Sequence, residues 1–194
     1  MPKVVDHDVR REEIARAFFR VVLEKGIEGA TTREIAREAG VSLGVLAHYF
    51  GDKDRLISAA FDVLVAQFTR RLSAAAQGRA SVAEALEALC LQVLPLDEAR
   101  RLESGVWLSF WAHGYADAAS RTRQGEAYET WIGALAAIIG QLPRARTEAQ
   151  AREEATALAA LLDGLTVQLV LRGSQAFTAD QAALLVRRQL EALA

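Results

Sequence analysis

Gly40 to Leu56, GVSLGVLAHYFGDKDRL, gathers side chains that can address phosphates and base edges. Ser42 brings a hydroxyl, His48 a ring nitrogen, Tyr49 a phenol and Lys53 an ammonium. All four are hydrogen-bond donors. Gly44 has no side chain, so another molecule can approach the backbone closely there. Leu43 stands beside it; Thr32 and Arg33, with Arg10 or Arg11, are further candidates for backbone contact. A second group is aromatic. Trp107, Phe110, Trp111 and Tyr115 recur at helical spacing, and Tyr128 and Trp131 follow. Clustered ring faces can enclose a cation; periodicity alone favours a packed aromatic core.

Other chemistries find little support. Cys90 is the single cysteine, which excludes an internal disulfide and a Cys-based zinc site. On an apolar helix it reads as core rather than as a redox sensor. His7, His48 and His113 lack metal-ligand spacing, and no nucleophile–base constellation is present. No catalytic residue, metal or cofactor is therefore expected. Asp163 could balance a bound cation or simply lie on a helix surface or interface. Formal net charge is −2, and residues 1–56 hold ten Lys/Arg against ten Asp/Glu. A nucleic-acid reader built from this chain must place a few cations locally.

The elements that must position these residues are all helical. Ala and Leu dominate a chain that is 52% hydrophobic, without strand-like alternation. After a loose tail to Asp8, Ile14, Ala17, Phe18, Val21 and Val22 form a stripe that ends at Lys25-Gly26. Thr31 with Glu34 reads as a capping box, Gly40 as a stop and Ser42 as the next N-cap. Asp52 opens a helix from Lys53 to about Gln77, roughly 37 Å long at about 1.5 Å per residue. Five more helices follow: Ser81–Leu94, Asp97–Tyr115, about Ala119 to Gly140, Thr147–Arg172 closing on Gly173, and Thr178–Leu193 with a second capping box, Thr178 with Gln181. This makes an all-α chain of about nine helices. It divides into three helices over 1–52, a candidate DNA-binding domain, and a larger helical part over 53–194, a candidate ligand-binding and dimerisation domain. No run approaches the roughly 18 uncharged apolar residues that span a bilayer, and no signal peptide is visible, so a cytoplasmic location is expected. Leu158, Leu162, Leu165 and Leu169, with small Ala155, Ala159 and Gly164, and the last helix, offer a surface for a second copy.

Two short helices joined by a glycine-bearing turn make a helix-turn-helix, whose second helix enters the major groove. The residues by themselves also fit an all-α small-molecule binding protein or enzyme with no specific DNA binding. The stretch T.REIAREAGVS.G.L.HYF.DK..L resembles the DNA-binding domain of the tetracycline-repressor (TetR) family over residues of about 9–60. WLSFWAHGY, AYETWIGAL and LAALLDGL, and the MPK start, are similar to the BetI-type, choline-responsive subgroup. That type tends to carry an aromatic after Asp-Gly-Leu, where this chain has Thr166. The resemblance implies a repressor that binds a pseudo-palindromic operator in double-stranded DNA as a homodimer. A small effector, of choline-like cation character, would release it. Thr32, Arg33, Ser42, Leu43, Gly44, His48, Tyr49 and Lys53 would meet DNA. Trp107, Phe110, Trp111, Tyr115 and Trp131 would meet the effector.

Overall fold

The computed structural model describes residues 7–172 and 177–193. These residues form α1 (His7–Gly29), α2 (Thr32–Glu38), α3 (Leu43–Phe50), α4 (Lys53–Ala76), α5 (Val82–Val93), α6 (Glu98–Ala116), α7 (Ala118–Ile139), α8 (Glu148–Arg172) and α9 (Ala179–Leu193), with no strand among them. The MPK start and the helix stop at Gly173 lie outside the described residues. Helix α1 begins at His7, inside the segment expected to be a tail. It breaks where its sequence says, at Gly26, whose φ of 70° takes the chain out of helical geometry before a last turn to Gly29.

The chain separates into two compact units. The first comprises residues up to Phe68 and Val106–Arg121; the second comprises Thr69–Gly105 and the chain from Thr122. In the first, α1 packs on α2 and α2 on α3. Ile14, Phe18, Ile35 and Leu56 are fully enclosed, with Leu46, Phe50 and Phe61 nearly so. Each large apolar side chain so buried contributes about 1.5–3 kcal/mol. Short α2 and α3, below the length at which an isolated helix holds, take their stability from this core. His113 near the end of α6 meets the Glu28 carboxylate at 2.7 Å, and Lys53 donates to the Glu28 carbonyl at 3.2 Å.

In the second unit α5, α8 and α9 pack together. Leu86, Cys90, Leu135, Ile139, Leu158, Leu162, Ala182 and Val186 form the centre. Arg187 of α9 pairs with Glu87 of α5 at 2.8 Å. Arg146, its side chain only 2% exposed, pairs with Glu154 and also donates to the Leu193 carbonyl. The start of α8 and the end of α9 are thus tied through one buried guanidinium. Helix α8 has a capping box of its own, Thr147 with Gln150, besides the expected one of α9.

One expectation about α8 needs correction. The sequence suggests that Leu158, Leu162, Leu165 and Leu169 face a second copy, yet they are 0%, 0%, 5% and 4% exposed. They fill the subunit's own core, as do Ala155 and Ala159. Helix α8 is also long and apolar enough, by length and composition, to cross a membrane. Besides the buried leucines, its outer side carries small or apolar residues in its middle and end: Ala157, Ala160 and Gly164 are exposed, and Leu171 is 74% exposed.

Candidate functional site

The turn between α2 and α3 is held by its backbone. Gly40, with φ 65°, donates to the Arg37 carbonyl at 3.2 Å, and Val41 donates to that of Ala36 at 2.9 Å. This pair of bonds, closed by a left-handed glycine, ends α2 and redirects the chain within two residues. Thr31 accepts from the Glu34 amide at 3.3 Å while Glu34 turns back to the Thr31 backbone. The Lys25 ammonium and the Thr31 bonds hold the Glu34 carboxyl down at about 2. Ser42 accepts from the Val45 amide at 3.2 Å and so caps α3.

Leu46 and Phe50 fix one side of α3 to the core. The other side is open: Ser42, Leu43, Gly44, Ala47 and His48 are exposed. A Cβ built on Gly44 would meet nothing closer than Ser42 Oγ at 3.8 Å. The missing side chain answers no crowding inside the chain; it leaves α3 bare outward. Tyr49 is half-buried, its ring against His48 at 5.6 Å and His7 at 5.4 Å, while its carbonyl accepts from Arg11 at 3.5 Å. Among the described residues, neither the His48 ring nor the Tyr49 hydroxyl makes a hydrogen bond, so both are available to another molecule.

Local charge differs from the bulk. Arg10, Arg16, Arg20 and Lys25 are each neutralised by a Glu. Arg33 and Arg37 have no acidic partner among the described residues; they stand four apart on the exposed side of α2, opposite buried Ile35 and Ala36. Like charges at that spacing weaken a helix slightly, a cost that a phosphate would reverse. Lys53 likewise has only a carbonyl as partner among them. Thr32, the first residue of α2, is part-exposed. Arg37 escaped the sequence reading. Its position one turn after Arg33, with two apolar residues between them facing inward, was the available signal.

The aromatic residues divide. Trp107 and Phe110 belong to the first unit, where Phe61 lies 5.8 Å and 5.2 Å from them, Phe68 packs 5.6 Å from Trp107, and Phe18 packs 6.2 Å from Phe110. Phe110 is 1% exposed. Trp111 is part-exposed in the same unit, and Tyr115 is 87% exposed. Trp131 lies on α7 in the second unit with Tyr128, both part-exposed. The Tyr128 hydroxyl donates to Asp163 Oδ2 of α8 at 2.6 Å. Burial raises the Asp163 pKa, and the phenol bond opposes that rise. Burial and the adjacent carboxylate push the Tyr128 phenol upward too. Cys90 is enclosed, its thiol pushed up to about 12 by burial and by Glu87.

Known proteins match this chain in two stretches. Residues 14–60 match the family of bacterial regulatory proteins of the tetR type. Residues 82–194 match the C-terminal region of BetI-type transcriptional repressors. The chain is 34% identical over 171 residues to the HTH-type transcriptional regulator PksA of Bacillus subtilis, covering 88% of this chain and 83% of that one. It is 34% identical over 197 residues to the regulator BetI of Stenotrophomonas maltophilia, covering 94% and 91%. A transcriptional regulator from Saccharomonospora viridis, solved in complex with choline, superposes with a TM-score of 0.81 at 26% identity, covering 95% and 96%. With family matches over both regions and relatives matched over most of their length, this chain belongs to the TetR family, as a helix-turn-helix transcriptional regulator with a BetI-type C-terminal region.

Proposed function

We propose that the protein is a homodimeric repressor whose α3 reads an operator and which a small alkylated ammonium releases. The observation that carries the DNA part is the division of α3: Leu46 and Phe50 buried, Leu43, Gly44 and His48 bare. His48 and Leu43 would meet base edges or thymine methyls. Ser42, Tyr49, Thr32, Arg33, Arg37 and Lys53 would meet phosphates. Residues 1–52 then serve as the DNA-binding domain and 53–194 as the effector and dimer domain, working in the cytoplasm beside the DNA.

One helix-turn-helix reads one half-site, so a second copy is needed for a pseudo-palindrome. Exposed Ala157, Ala160, Gly164 and Leu171 on α8, with Leu184 and Leu185 at 47% and 39% exposure on α9, support a symmetric helical interface. The α8 positions fall close to a seven-residue repeat, and their small side chains let two helices approach closely. The choline complex of the S. viridis relative supports a cationic effector. In the second unit Trp131 is part-exposed and is a candidate to meet it; in the first unit Trp107 and Trp111 are part-exposed, Phe110 is packed and Tyr115 lies at the surface. An effector acts only through unequal affinity for two states.

The test is selection of bound duplexes from a random library, followed by anisotropy titration of the selected duplex with and without choline. Sequence-specific binding that choline weakens is expected. Binding without sequence preference overturns the operator reading; specific binding that neither choline nor betaine aldehyde alters overturns the effector reading alone.

A further inference from the structure

The Asp163 carboxylate is more than half buried, and the only group bonded to it among the described residues is a neutral phenol, Tyr128, at 2.6 Å. No Lys, Arg or His pairs with it among those residues. Buried carboxylates are ordinarily paired or strongly hydrogen-bonded. Elsewhere in the same unit the chain follows that rule: Glu154 is met by Arg146 and Glu103 by Arg71. Asp163 is the exception.

Two neighbours give the exception a chemical direction. Trp131 lies one turn after Tyr128 on α7, so indole and phenol share a helix face. Both rings are part-exposed. Thr166 lies one turn after Asp163 on α8, is 6% exposed, and its hydroxyl has no hydrogen-bond partner among the described residues. A buried hydroxyl left unsatisfied calls for an explanation. The chain thus leaves on α8 a carboxylate without a counter-ion and, one turn on, a hydroxyl without a partner among the described residues; the α7 ring bonded to that carboxylate is Tyr128, and Trp131 stands one turn further along α7. All four residues lie within the second unit.

We propose that Tyr128, Trp131, Asp163 and Thr166 form the subsite that recognises the effector. Asp163 supplies the counter-charge to a small alkylated ammonium, the two rings supply its apolar and cation–π walls, and Thr166 accepts or donates a hydrogen bond to a ligand oxygen. This rests on the cationic-effector reading above and adds which residues select for charge. The Tyr128 bond holds the carboxylate in place, so Tyr128 acts both as a wall and as a positioning residue. A neutral molecule of the same shape would leave Asp163 without a counter-ion, and the site would discriminate against it.

The experiment compares choline with its uncharged carbon analogue, 3,3-dimethyl-1-butanol. Tryptophan fluorescence of the full-length protein reads both, in the parent and in Asp163→Asn and Thr166→Val. The parent should prefer choline by at least about tenfold. Asp163→Asn should lose that preference, chiefly by weaker choline binding. Thr166→Val should weaken choline severalfold and leave tetramethylammonium, which has no hydroxyl, unchanged. The ratio of choline to analogue is a charge preference, which a merely structural role for Asp163 would not abolish. A thermal melt and, if Asp163→Asn is unfolded, Asp163→Ser keep the comparison available. If the parent prefers choline and the Asp163 variants keep the preference, the subsite is overturned while the cationic-effector reading stands. If the parent binds neither choline nor tetramethylammonium, both are overturned.

Discussion

Gly44→Ala separates what α3 needs to fold from what it needs to bind. Gly44 is the second residue of α3, exposed, and a methyl there finds no atom closer than 3.8 Å. Its φ is not in the left-handed region, so alanine fits the existing backbone. Within the chain the change should therefore stabilise. Glycine costs about 0.5–1 kcal/mol against alanine inside a helix, and the first turn takes the lower end. At about 2–4 °C per kcal/mol for a chain this size, Tm should rise by about 1–2 °C. Against DNA the same methyl enters the space between backbone and groove. Overfilling a close contact costs about 1–3 kcal/mol, which is at least about fivefold in Kd for each half-site. Anisotropy titration of the selected duplex beside a calorimetric melt reads both numbers. A higher Tm with unchanged operator affinity would refute the assignment of this side of α3 to DNA. A lower Tm would refute the claim that nothing in the chain crowds Gly44.

Other outcomes follow from single observations. Arg33→Ala and Arg37→Ala should each weaken binding to every duplex alike. Each should also reduce the slope of log K against log salt by about one for every phosphate no longer neutralised, read by anisotropy at several salt concentrations. Gly164→Gln places a long side chain where the subunit offers open space, so the fold should persist while the dimer dissociates, as sedimentation velocity will show. The Glu34 carboxyl sits at about 2 rather than 4.5 because of Lys25 and Thr31. A depressed carboxyl contributes stability that is complete above 4.5 and lost as pH falls towards 2, so amide exchange in α2 should accelerate across that window. The Cys90 thiol, enclosed and pushed up to about 12, should resist a thiol reagent at pH 8 until the protein is unfolded.

The fold was largely legible because its signals are local. Capping residues at Thr31, Ser42, Asp52, Ser81 and Thr178 each accept the amide their position predicts. Among the described residues, the stops at Gly26, Gly40, Gly51, Pro95 and Gly140 act within a turn of where they stand. Periodicity located α8 but did not say what its leucines touch. Leu158, Leu162, Leu165 and Leu169 lie on one helical face in the sequence whether that face meets its own subunit or another. Only packing decides, and α5 and α9 occupy that side.

The site divides along the same line. The residues proposed to meet DNA stand out where a helix would favour something else: a glycine in the first turn of α3 and, seen only with the burial of Ile35 and Ala36, a second arginine one turn after Arg33 on α2. Nothing inside the chain explains those choices, so they are visible as departures from local rules. Aromatic residues do not behave this way, because a ring that walls a ligand and a ring that fills a core obey the same spacing. Phe110, packed against Phe18 and Phe61, and Trp131, part-exposed one turn after Tyr128, look alike in the sequence. What distinguishes them is the polar group nearby. The Tyr128–Asp163 bond joins residues 35 positions apart, and no pattern in either helix announces it. A long-range hydrogen bond on a carboxylate without a counter-ion among the described residues is therefore what carries the proposed subsite, rather than any count of aromatic residues.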